Sequence, residues 1–159
     1  MRAYSELIAL VLTATSITNV AAAAPRTATA ATDASPQARD AAATVAAFHQ
    51  ALNDGNLKAA ADLLVSDALI YESGAVDRSR EEYVSHHLPA DAAFAKAVPR
   101  TLTSQSAHAS GNLAWIASQV RTRGNYKGRA IESASTETMV LRREGAQWRI
   151  VHIHWSSAK

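Results

Sequence analysis

The sequence predicts an α+β fold, a cone-shaped curved antiparallel sheet with N-terminal helices packed on its concave face. Apolar residues recur at helical spacing from Val45 to Leu64, and after Pro99 the period drops to two and stays there. The closing stretch, Gln147–Ser157, adds a further sign. Read with period two, it puts Trp148, Ile150, His152 and His154 on one face and Arg149, Val151, Ile153 and Trp155 on the other. Bulky groups on both faces predict a strand covered on both sides.

Each element has its own signal. Ser35-Pro36 starts a helix as N-cap and first helical residue; Val45, Phe48, Ala51 and Leu52 form its stripe, and Gly55 ends it after Asp54. Asn56 caps a second helix carrying Leu57, Ala60, Leu63 and Leu64. Residues 68–73 read as a short strand closed by Gly74. Ser79 with Glu82 three residues later forms a capping box and opens a helix through His86 or His87. Leu88-Pro89 interrupts it, and a further helical turn spans 90–97. Strands are expected over 100–109, 113–124, 129–143 and 147–157, with turns at 110–112, 125–128 and 144–146.

The length of 159 residues fits one domain with a short appendage. The apolar fraction is 48%, but much of it is alanine, which adds helix and little core volume. With no cysteine, disulfides and thiolate metal sites are excluded. A net charge of +2 without a basic stripe argues against nucleic acid as a partner. Residues 1–24 read as a signal peptide: Arg2, an apolar run from Leu7 to Leu12, then small residues from Val20 to Ala24. That run is too short for a stable membrane anchor, so a periplasmic or secreted protein is expected. Residues 25–35 lack periodicity and read as a flexible linker, leaving 36–159 as the folded domain.

Three motifs carry a family resemblance: Phe48–Gly55, Asp67–Gly74 and Trp148–Ser156. From about residue 36 to 157 the chain resembles the nuclear transport factor 2-like superfamily, SnoaL-like proteins included. That resemblance implies a cone that hosts enzymes, binding proteins and assembly modules, commonly dimeric through the sheet. Similarity to ketosteroid isomerases places Glu72 at the general base. Their oxyanion-hole tyrosine falls on Phe48 and their late-strand acid near Met139, and neither residue is a donor, which argues against steroid isomerisation. Similarity to the association domain of calmodulin-dependent kinase II rests on Arg142-Arg143 and on Val151–Ser156. It places a glutamate of a small-carboxylate pocket at Glu72 and a histidine at His108. The arginine positions of that pocket fall on Trp155 and on Thr138 or Met139.

These readings give the candidate site. Glu72, turned inward, would be desolvated and basic near neutrality; turned to the strand end, it would be a satisfied structural carboxylate. His108 lies among Ser106, Ala107 and Ala109, which leaves space beside it. Phe48, Trp115, Met139 and Trp155 would wall the pocket, although aromatic residues fill a cone whether or not it binds anything. His152 and His154 share a face at a spacing zinc sites use, but packing explains them more simply, and His86-His87 suits a helix end. No metal or cofactor is expected. Three functions compete: a binder of a small apolar or weakly acidic molecule, a lyase or isomerase with Glu72 as base and His108 as acid partner, and an assembly module.

Overall fold

A computed structural model describes residues 35–157. The signal peptide and nearly all of the linker expected from the sequence lie outside the described residues. Helix α1 (Pro36–Asp54) starts where Ser35 Oγ accepts the Ala38 N–H at 3.2 Å, and it stops at Gly55, whose φ of 70° is left-handed. Helix α2 (Leu57–Asp62) is capped by Asn56, which accepts from the Ala59 N–H at 3.1 Å. It is shorter than the spacing of Leu63 and Leu64 implies, because Leu64 already pairs with Ile150 as the first residue of strand β1 (Leu64–Glu72). Tertiary pairing overrides the helical period there.

Strand β2 (Ala75–Asp77), which the sequence reading lacked, turns back on β1 through Ser73 and Gly74. Both turn residues have positive φ, the two-residue turn that matches strand twist. Helix α3 (Arg80–His86) carries the expected cap, with Ser79 Oγ accepting the Glu82 N–H at 3.0 Å. Helix α4 (Leu88–Ala97) follows with Pro89 in its first turn. Strands β3 (Arg100–Ser110), β4 (Leu113–Tyr126), β5 (Arg129–Glu144) and β6 (Gln147–Ser157) then form an antiparallel meander.

The six strands make one curved, unclosed sheet in the order β2-β1-β6-β5-β4-β3. One pairing departs from an all-antiparallel sheet: β1 lies parallel to β6. The chain leaves β1, passes through α3, α4 and the meander, and returns to fill the free edge of β1. The helices cover one face, where Val45, Phe48, Leu64, Ile70, Tyr83 and Ile153 are almost wholly buried.

The face assignment expected for β6 is corrected. Leu141 pairs with Ile150 and Val140 with His152, so Val151 is an extra residue, a β-bulge. The bulge shifts the phase by one. Trp148 and Ile150 face the helices before it, and Ile153 and Trp155 face them after it. His152 and His154 turn to the opposite face, edge-on to Tyr71 at ring distances of 5.4 and 6.2 Å.

Candidate active site

A cavity of about 150 Å³ lies between α1, α4 and the end of the sheet where β4 and β6 finish and β5 begins. Leu52, Phe94, Val98 and Val120 give it apolar walls. Its charged lining falls into two groups.

The inner group is built on Glu137 of β5. Alternation along β5 carries Glu137 inward with Met139 and Leu141, and its side chain is only 3% exposed. Trp155, its register partner on β6, donates Nε1–H to Glu137 Oε2 at 2.7 Å. Phe48 stacks on the Trp155 ring at 6.4 Å and holds His49 beside it on α1. His49 Nε2 lies 2.8 Å from Glu137 Oε2 and Arg100 Nη2 lies 3.7 Å from Oε1. Both contacts have ion-pair distances but miss hydrogen-bond geometry, so His49 Nε2 and Glu137 Oε1 are buried without a hydrogen-bond partner among the described residues. Burial pushes the Glu137 pKa up, yet His49, the Trp155 N–H and Arg100 outweigh it and hold the carboxyl below the usual carboxylate value.

The outer group has no such support. Glu72 ends β1 one residue past the outward-facing Tyr71 and two past the buried Ile70, so it points into the cavity. Burial raises its pKa to about 6; Asp91 and Asp77 push the same way and His87 opposes them. Asp91 on α4 accepts the Tyr83 O–H at 2.8 Å, and burial still holds its pKa above the ordinary value. Behind them His87 Nδ1 donates to the buried Asp77 Oδ2 at 2.6 Å, which raises the His87 pKa.

Of the residues expected in the pocket, Glu72 and Trp155 line it. Phe48 and Met139 are fully buried in the core rather than on the wall, although Phe48 supports Trp155 from behind. His108 and Trp115 are on the other face of the sheet. They are register partners on β3 and β4 with rings 5.9 Å apart, and Trp115 is 43% exposed. The reason is strand parity: Ala107 and Ile116 are the buried neighbours, and their small or compact side chains sit under the helices. Pairing of Glu72 with His108 as base and acid is therefore corrected, because the sheet separates them.

His49, Arg100, Glu137 and Asp91 escaped the sequence reading. One signal existed: Glu137 is in phase with Met139 and Leu141, a charge placed on an apolar face. For metal, Asp77, Glu82 and His86 bring ligand atoms within 4.8 Å of one another. Asp77 already accepts from His87, and Glu82 Oε2 accepts the Arg78 N–H at 2.5 Å, so helix capping accounts for the group.

A profile of the SnoaL-like domain matches residues 41–159. The chain belongs to the SnoaL-like family. A candidate ketosteroid isomerase from Shewanella frigidimarina is 37% identical, with a TM-score of 0.71 over 74% of this chain and 94% of that one. Two more distant structures share the fold. A candidate calcium/calmodulin-dependent protein kinase II association domain from Xanthomonas campestris is 23% identical, with a TM-score of 0.66 over 81% and 93% of the two chains. A candidate dehydratase of the nuclear transport factor 2-like family from Streptomyces avermitilis is 16% identical, with a TM-score of 0.68 over 77% and 96%. No curated protein matches the chain. The resemblance drawn from Phe48–Gly55, Asp67–Gly74 and Trp148–Ser156 thus stands at the level of family and fold.

Proposed function

We propose that this SnoaL-like protein is exported and binds a small molecule with a largely apolar body in the cavity between α1, α4 and the sheet. The observation that carries the binding reading is the floor of that cavity. A carboxylate 3% exposed, with one oxygen lacking a hydrogen-bond partner, borders open space lined by Leu52, Phe94, Val98 and Val120. Leaving such an acceptor unsatisfied costs about 1–3 kcal/mol, a cost accepted at a site rather than in a packed core. The volume is close to that of an engineered apolar cavity that takes benzene. Export rests on the signal-like composition of residues 1–24. A ligand-observed NMR screen of benzene-sized fragments tests the binding reading. Binders should be lost on Ala95→Phe, which fills the cavity from α4; binders indifferent to that change would sink the idea.

A second reading is favoured by Glu72. A half-buried carboxylate with a pKa of about 6 suits proton abstraction near neutrality, as a lyase or isomerase requires. The His49–Glu137 pair in the same cavity would take the place of His108 as the proton-returning partner. Turnover should then rise through about pH 6 and vanish in Glu72→Gln; full activity in that variant removes Glu72 from the chemistry.

The outer face of the sheet fits a second copy of the chain. Tyr71, Leu113 and Trp115 are 40%, 54% and 43% exposed there, and two of the structural neighbours are association domains of calmodulin-dependent kinase II type. These features support a homodimer through the sheet, and light scattering at micromolar concentration checks it.

A further inference from the structure

The geometry points to a protonated amine on a small apolar body as the ligand, with the cavity's unmatched carboxylates receiving its N–H groups. This inference rests on the cavity being the binding site. Its charged lining comprises Glu72, Asp91 and Glu137 against Arg100, with His49 beside them. Arg100 is already committed to Glu137 at 3.7 Å. Glu72 and Asp91 therefore have no cation of their own among the described lining residues; Asp91 accepts the Tyr83 O–H, and His87, held by Asp77 behind them, favours both carboxylates from a distance.

The deeper end points the same way. Glu137, which lines the floor, is almost wholly buried, and its Oε1 faces Arg100 at 3.7 Å without a hydrogen bond, so the floor adds a carboxylate to the two at the mouth. A carboxylate ligand would add a charge to this field with no free guanidinium to meet it. An ammonium supplies the missing charge and up to three N–H donors at once. The raised pKa of Glu72 has the same origin: burial and its acidic neighbours lift it to about 6, and a bound cation would lower it. The weakly acidic ligand that the association-domain resemblance implied is the class this lining opposes.

Three ligands of matched shape test this: benzylamine, benzyl alcohol and benzoate, titrated into the purified full chain by calorimetry at pH 7.5. Benzylamine should bind about tenfold or more tighter than benzyl alcohol, the difference expected of a charge-assisted hydrogen bond. Benzoate should bind more weakly than the alcohol. In Glu72→Gln/Asp91→Asn, with circular dichroism confirming the fold, benzylamine should fall to the level of benzyl alcohol, whose own binding changes little. Lowering the pH from 7.5 to 5 should weaken benzylamine and spare the alcohol, since Glu72 gains a proton amid Asp91, Asp77, Tyr83 and His87. If the alcohol binds and the amine binds no tighter, or benzoate binds best, the amine class is overturned and the cavity reading survives. If none of the three binds, both fall.

Discussion

The two faces of the sheet carry similar residues under different physical conditions. On the concave face an indole, an imidazole and a carboxylate converge, Trp155 Nε1 and His49 Nε2 lying 2.7 and 2.8 Å from Glu137 Oε2. On the convex face the same indole and imidazole chemistry recurs as Trp115 and His108, with rings tilted to one another 5.9 Å apart on adjacent strands. Burial separates the two sets. Inside, each polar atom needs a partner or costs free energy, so the groups constrain one another; outside, contact with water lifts that requirement. A site needs the first condition, and residue type alone does not supply it.

The largest break in that contrast is Glu137→Ala. It removes the carboxylate that Trp155, His49 and Arg100 all address and leaves a half-buried guanidinium unpaired. Loss of one member of a buried ion pair costs about 3–5 kcal/mol, and Arg100's partial exposure puts the expectation at about 3. Denaturant titration checks it, and a loss under 1 kcal/mol would mean that the inner cluster does not hold the site together. Trp155→Phe comes next. It deletes the N–H to Glu137 Oε2 and part of the ring surface against Phe48, so at least about 1.5 kcal/mol should go, the hydrogen bond's share alone.

Two of the three cavity carboxylates then separate by sign. Glu137 is held below its ordinary pKa, so its contribution is present above the unfolded value near 4.5 and is lost as pH falls below it. Glu72 is raised from 4.5 to about 6, so the folded chain holds the extra proton between those values and stability declines as pH rises through that window. The full shift corresponds to about 2 kcal/mol, and screening of this half-exposed group leaves about 1. Glu72→Gln should therefore stabilise the protein by about 1 kcal/mol at pH 7.5 and by nothing at pH 4. Equal effects at both pH values would show that the carboxylate is not strained by its surroundings.

How much of this was legible in the sequence follows from the same contrast. The helix caps at Ser35, Asn56, Ser79 and Gly55 and the order of the meander rest on local chemistry and stand as read, although β4 runs on through Asn125 and Tyr126, which were expected in the turn. Glu72 was legible as well, because strand parity from Ile70 carries it inward. What failed depends on pairing. The bulge at Val151 is a register event between β5 and β6, and it turns His152 and His154 outward with no local sign. His108 was placed by the smallness of its neighbours, but Ala107 is small because the core packs on it, and that sends His108 to the other face. Helix α2 ended early because Leu64 was taken by β6. The cluster at Glu137 joins residues 49, 100, 137 and 155 from four elements, which only the folded sheet brings together.

The smallest effect belongs to the convex face. Trp115→Glu replaces a ring 43% exposed whose neighbour is His108, so within one chain it deletes little buried area. Unfolding of the isolated chain should change by no more than about 0.5 kcal/mol. If a second copy covers this face, the same substitution places a charge in an apolar interface, and light scattering should show the dimer reduced to monomer. The two measurements separate the causes: a large stability loss that does not depend on protein concentration would mean that Trp115 supports its own chain's core. In that event the faces differ less than their exposure implies, and the convex cluster would have to be weighed as a second structural centre.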